Sequence, residues 1–109
     1  MAQVVWSEQA VRDLEEIHRF IARDSLAAAE LTIERIREST RRLLTFPESG
    51  RSVPEAPEDP MKELIVRPFR VIYRIQRDNV QVLTVLHGAR QLLPSEPWSL
   101  AQPPAPPSS

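Results

Sequence analysis

The sequence predicts an α+β fold: an N-terminal strand, two paired helices, then a three-stranded meander, in the order β-α-α-β-β-β. Three observations carry this. Apolar residues recur at three- and four-residue intervals through the first half. A proline-rich break follows. The residues beyond it alternate with the period of two that marks strands.

Val4-Val5-Trp6 is a short β-branched and aromatic run and reads as the first strand. Ser7 is a good N-cap, and Glu8 places an acid where the helix dipole favours one. Ala10, Leu14, Ile17 and Ile21 then mark one face of a helix running from about Glu8 to Arg23, with Arg12, Asp13, Glu15, Glu16 and Arg19 on its solvated side. Asp24 or Ser25 can cap a second helix, whose buried stripe is Ala29, Ile33, Ile36, Thr40 and Leu43. Glu38 and Arg42 are a favourable pair along it. Pro47 cannot enter a helix interior, so the helix should stop near Phe46. A short link makes the two helices an antiparallel hairpin.

From Pro47 to Pro60, four prolines and Gly50 predict a loop. Strands are expected over Glu63 to Val66, Phe69 to Arg77 and Val80 to His87, with a bend at Arg67-Pro68 and a tight turn at Asp78-Asn79. On the middle strand Phe69, Val71, Tyr73 and Ile75 share an apolar face that should lie under the helices. Arg70, Ile72, Arg74 and Gln76 share the other, which is expected to be open, polar and basic. Residues 1–93 are expected to form the domain. Residues 94–109 hold six of the eleven prolines and read as a flexible tail, with Trp98 and Leu100 as its apolar exceptions.

Composition narrows the chemistry. With 109 residues, 41% of them hydrophobic, the chain can bury one modest core. It has no cysteine, hence no disulfide or thiolate site. His18 and His87 are its only histidines and lack metal-ligand spacing, so neither a metal nor a cofactor is expected. No phosphate-cradling glycine loop is present. The N-terminus lacks a basic, then apolar leader, and no apolar run is membrane-length, so a cytoplasmic location is expected. A net charge of −1 conceals an asymmetry: residues 61–90 carry six basic side chains against Glu63 and Asp78. Thirteen of the fourteen basic residues are arginine, which favours forked contacts to carboxylate or phosphate. The candidate binding residues are therefore Arg67, Arg70, Arg74, His87 and Arg90; ordinary solvated charge is the alternative reading.

Four segments, in order, resemble the RelE/ParE superfamily of toxins: Val5-Trp6-Ser7-Glu8-Gln9-Ala10 with Asp13-Leu14 and Ile17; Phe46-Pro47-Glu48-Ser49-Gly50-Arg51; Lys62-Glu63-Leu64 with Phe69-Arg70-Val71-Ile72-Tyr73-Arg74-Ile75; and Val82 to Arg90. The resemblance spans roughly residues 3–92. It implies a helix hairpin against a twisted antiparallel sheet. It further implies a toxin neutralised by a cognate, ParD-like antitoxin that alone contacts operator DNA, with a homodimer or toxin–antitoxin hetero-oligomer as the assembly. One branch of the superfamily poisons DNA gyrase and is not itself an enzyme; the other cleaves mRNA in the ribosome. A nuclease here would use Arg70, His87 and Arg90 as its candidate catalytic residues. Yet no tyrosine follows Arg90, and Lys62 is the sole lysine. In-line RNA cleavage needs an acid and a base as well as charge stabilisation. The exit His87-Gly88-Ala89-Arg90 also resembles the ParE-like branch. The expectation is thus a gyrase inhibitor, with a ribosome-dependent endoribonuclease second and a non-toxic, antitoxin-binding co-repressor third.

Overall fold

A computed structural model describes residues 2–88. The chain forms β1 (Val4–Trp6), α1 (Glu8–Ala22), α2 (Leu26–Arg42), β2 (Arg51–Ser52), β3 (Lys62–Val66), β4 (Phe69–Gln76) and β5 (Asn79–His87). Five strands make one sheet in the order β1-β5-β4-β3-β2. It is antiparallel except at one edge, where β1 runs parallel to β5, Val4 opposite Val80. The two-residue β2 lies within the segment read as loop; it pairs Arg51 with Glu63 and Ser52 with Lys62.

Both helices begin on serine hydroxyls. Ser7 Oγ accepts from Ala10 N at 3.0 Å, and Ser25 Oγ from Ala28 N at 3.0 Å, so Ser25 rather than Asp24 caps α2. Ser7 Oγ also donates to Leu83 O at 2.7 Å, fixing the start of α1 to the sheet. The regular part of α2 ends at Arg42, and the chain tightens into i→i+3 turns before Pro47. Arg41, not Arg42, takes the helix acids, pairing with Glu34 and Glu38.

The apolar faces meet as the alternation requires. Ala10, Leu14, Ile36 and Leu43 pack on Val71 and Tyr73. One polar residue joins them. Asp13 was expected on the solvated side of α1, but its carboxylate accepts from Val85 N at 2.9 Å and from the Thr84 hydroxyl. A bulge in β5 accompanies this contact: Thr84 pairs with Ile72 and Val82 with Tyr73, which leaves Leu83 as an extra residue.

The other face of the sheet is not open. Residues 53–61 fold back across it in successive turns, with Ala56 N bonded to Val53 O and Asp59 N to Ala56 O. Val53, Ala56 and Met61 form a second apolar cluster with Ile72, Leu83 and Leu86. The expected basic face is therefore roofed.

The tight turn also falls one residue earlier than expected. Gln76 pairs with Asn79, so the turn is Arg77-Asp78, and Arg77 adopts φ 58. A side chain is disfavoured in that left-handed conformation. Arg77→Gly should therefore stabilise the domain by roughly 0.5–1 kcal/mol, readable as a raised midpoint in urea.

Tyr73 ties the loop to the core. Its hydroxyl donates to Pro47 O at 2.8 Å and accepts from Gly50 N at 3.0 Å. Gly50 is needed there, since a Cβ would sit 2.4 Å from that hydroxyl. Burial raises the Tyr73 pKa above its ordinary 10.0; the Gly50 N–H opposes this and the Glu48 charge adds to it. The unfolded chain thus loses this proton first, so stability falls as pH rises beyond about 10. Tyr73→Phe should cost about 1–3 kcal/mol at neutral pH by orphaning two backbone groups. Unfolding in urea at neutral and alkaline pH should show a smaller alkaline loss in Tyr73→Phe than in the parent.

Candidate functional site

A groove of about 820 Å³ opens where the Arg67-Pro68 turn, the start of β4 and the end of β5 meet the roofing segment. The Arg67-Pro68 peptide is cis. Arg51, Arg67, Arg70 and His87 line the groove together with Glu55 and Glu63.

Arg70 lies on the face of β4 away from the helices, and the loop covers it to 7% exposure. A guanidinium can be held there only if its donors are met. Its Nε donates to Glu63 Oε1 at 2.8 Å. Its Nη1 and Nη2 donate to Glu55 Oε2 and Oε1 at 2.9 and 2.8 Å, a forked pair. Glu63 is fully buried, and its second oxygen accepts from Arg51 Nε at 2.6 Å. Hydrogen bonding to Glu55 is the main reason Arg70 is held protonated more firmly than an ordinary arginine. Burial opposes this, and Glu63 reinforces it. Two arginines and two carboxylates thus form a neutral floor.

Arg67 and His87 are exposed at the rim. The Arg67 carbonyl accepts from the Arg35 guanidinium, linking α2 to the turn. The His87 ring stands edge-on to its cross-strand neighbour Phe69, with centroids 5.9 Å apart. Arg74 lies further along β4, outside the groove, within 3.5 Å of the Asp59 carboxylate on the roofing segment. The structure therefore brings Arg67, Arg70 and His87 together and sets Arg74 apart; Arg90 lies outside the described residues.

Sequence reading missed Arg51, Glu55 and Glu63. Glu63 had a usable signal. It sits two positions from Ile65, the strand partner of Arg70, and hence on the same face. Lys62, on the opposite face, pairs with Glu48 at 3.1 Å. Among the described residues no group of three or more histidine, aspartate or glutamate side chains is placed to hold a metal, and no helix is long and apolar enough to cross a membrane.

Comparison with known proteins adds to this geometry. Residues 4–92 match the family described as the ParE toxin of the type II toxin–antitoxin system parDE. Over 91 residues the chain is 34% identical to toxin RelE2 of Caulobacter vibrioides, an alignment covering 83% of this chain and 99% of that one. It is also 34% identical over 91 residues to the Y4kP protein of Sinorhizobium fredii, covering 82% and 91%. The fold superposes on a chain of the chromosomal ParDE system of P. aeruginosa with a TM-score of 0.67 at 20% identity, covering 80% of this chain and 96% of that one. For the E. coli RelBE complex the TM-score is 0.55 at 15% identity, with the same coverage. ParE and RelE names both appear among these relatives, and the family model that spans residues 4–92 is that of ParE.

Removing Arg70 alone leaves Glu55 and Glu63 facing each other beneath the loop. Breaking a buried pair in this way costs about 3–5 kcal/mol. Arg70→Ala should therefore lose most of its stability in a thermal melt, whereas Arg67→Ala, at an exposed side chain, should melt within a degree or two of the parent.

Proposed function

This chain belongs to the ParE toxin family within the RelE/ParE superfamily, and from that membership we propose that it is a gyrase-directed toxin acting by binding rather than by catalysis. It is the toxin component of a type II toxin–antitoxin system, and an antitoxin is its partner.

The state of Arg70 carries the proposal. A nuclease of this fold would need that guanidinium on the scissile phosphate, but its Nε and both Nη groups are engaged by Glu63 and Glu55. A phosphate would have to displace a forked carboxylate and leave it buried, which is unfavourable. Two further groups that could move a proton are also committed. Lys62 is paired with Glu48, and the Tyr73 hydroxyl is buried on Pro47 and Gly50. The exposed Arg67 and His87 stand at the rim beside Arg51, whose Nε is held by Glu63, and together they form a recognition surface; Arg90 follows in sequence, two residues beyond Gly88. Such a cationic rim suits an acidic protein surface, either on gyrase or on an antitoxin segment. In this reading Arg70 shapes the surface from beneath, Arg74 holds the roofing segment through Asp59, and operator DNA is reached only through the antitoxin.

The same rim favours the second reading, a ribosome-dependent endoribonuclease in which His87 moves the proton and Arg67 and Arg90 hold the phosphate. The two differ in what the purified toxin does. We expect it to halt supercoiling by gyrase while translated messages stay intact, and Arg67→Ala with His87→Ala should weaken inhibition at least about tenfold, the size of roughly 1.4 kcal/mol of lost contact, with the chain still cooperatively folded. Messages cut within codons, with supercoiling untouched, would establish the nuclease instead. A folded chain that does neither yet binds its antitoxin would be a non-toxic co-repressor.

A further inference from the structure

Two grooves open on the helix side of the sheet. One, of about 420 Å³, lies between α1 and the ends of β4 and β5, where Ile17, Phe20 and Phe69 are edged by Asp13 and Glu16. The strands beside it are paired on both sides. The other, of about 440 Å³, lies over β1, between the first half of α1 and the last turns of α2. Val4, Trp6, Val11 and Leu14 are its apolar lining. Because β1 is an edge of the sheet, this second groove has unpaired backbone beside it.

The register says which backbone groups are unpaired. β1 runs parallel to β5; Val80 N donates to Gln3 O, and Ser7 N donates to Val82 O. In a ladder, alternate residues bond to the same neighbour. Gln3, Val5 and Ser7 therefore turn their hydrogen-bonding groups towards β5, and Val4 and Trp6 turn theirs outward. Edge strands are ordinarily guarded by charge or proline. Val4, Val5 and Trp6 supply neither. Their side chains suit an added strand as well. Val4 and Trp6 face the helices, while Val5, 40% exposed, faces the other way.

The walls of the groove select the occupant. α2 contributes Arg37 and Arg41, and α1 contributes Glu15. Arg41 is taken by Glu34 and Glu38. Arg37 is exposed and makes no ion pair among the described residues. An added strand would thus set apolar side chains against Val4 and Trp6 and an acid towards Arg37, on the wall away from Glu15. A second copy of this chain cannot offer that acid from its own edge, which is Val4-Val5-Trp6.

We propose that the β1 edge is a strand-addition site for an extended segment of a protein partner, with apolar residues at alternate positions around one acid. Backbone pairing at Val4 and Trp6 holds the segment, and Arg37 selects its charge. The site lies on the edge opposite β2, whose Arg51 lines the arginine groove. It therefore acts apart from the rim, whichever target the toxin has.

The probe is a short synthetic peptide of alternating valine and threonine, with glutamate in place of the central valine. Amide exchange is followed on the full nitrogen-15-labelled chain. The peptide should slow exchange at Val4 and Trp6 about tenfold when present at about ten times its Kd, and leave Val5, already turned to β5, unchanged. Lysine in place of the glutamate should weaken binding, and Arg37→Ala, at an exposed position, should erase that preference. Unchanged exchange at Val4 and Trp6 at millimolar peptide would overturn the proposal. So would slowing that needs no peptide and grows with protein concentration, which would put a second copy on the edge, or peptide-induced shifts confined to Arg67 and His87.

Discussion

A guanidinium buried under a loop must be matched group for group, and that requirement organises the functional end of this protein. Arg70 projects from the sheet face opposite the helices. Glu63 meets it from the neighbouring strand and Glu55 from the roofing segment. The pairing therefore does more than neutralise charge, since it fastens residues 53–61 across the sheet. Beneath them Val53, Ala56 and Met61 close a second apolar cluster on Ile72, Leu83 and Leu86. Without the carboxylates the arginine would face outward and the sheet would have an open basic face. With them, the face is roofed and its floor is neutral.

The helix side is held by a different set of polar ties at its margins. Ser7 both starts α1 and donates to Leu83 O. Asp13 meets the bulged part of β5, and the Tyr73 hydroxyl secures the Pro47–Gly50 turn. Each tie joins residues far apart in sequence, and so fastens a helix or loop to the sheet. The two grooves beside Phe69 differ in character. One has a charge-balanced floor with Arg67 and His87 at its rim; the other is apolar with acids at its edge. They meet at Phe69 and His87, where the described chain ends.

Much of this was legible in the sequence. The stripe from Ala10 to Ile21, the stripe from Ala29 to Leu43, and the alternation of Phe69, Val71 and Tyr73 each report one buried face, and local periodicity determines that directly. What failed was whatever depends on long-range pairing. Asp13 read as solvated because its partners lie some seventy residues away. The roofing segment read as plain loop because prolines mask the spacing of Val53, Ala56 and Met61. The turn moved to Arg77-Asp78 because strand register, not turn propensity, decided it. At the site, arginine content correctly marked the place but not the state. Charge counts treat Arg70 and Arg67 alike, although one is saturated and the other exposed.

That difference underlies the functional reading. In the proposed reading the sheet arginine is held by carboxylates rather than offered to phosphate, and recognition falls to the rim. The most direct measurement is the Arg70 Nε–H resonance in a nitrogen-15 spectrum of the full chain, followed as a short RNA is added. A slowly exchanging signal that RNA does not move is the expected result. A rapidly exchanging signal that shifts in proportion to bound RNA would show Arg70 released to phosphate and would contradict the account.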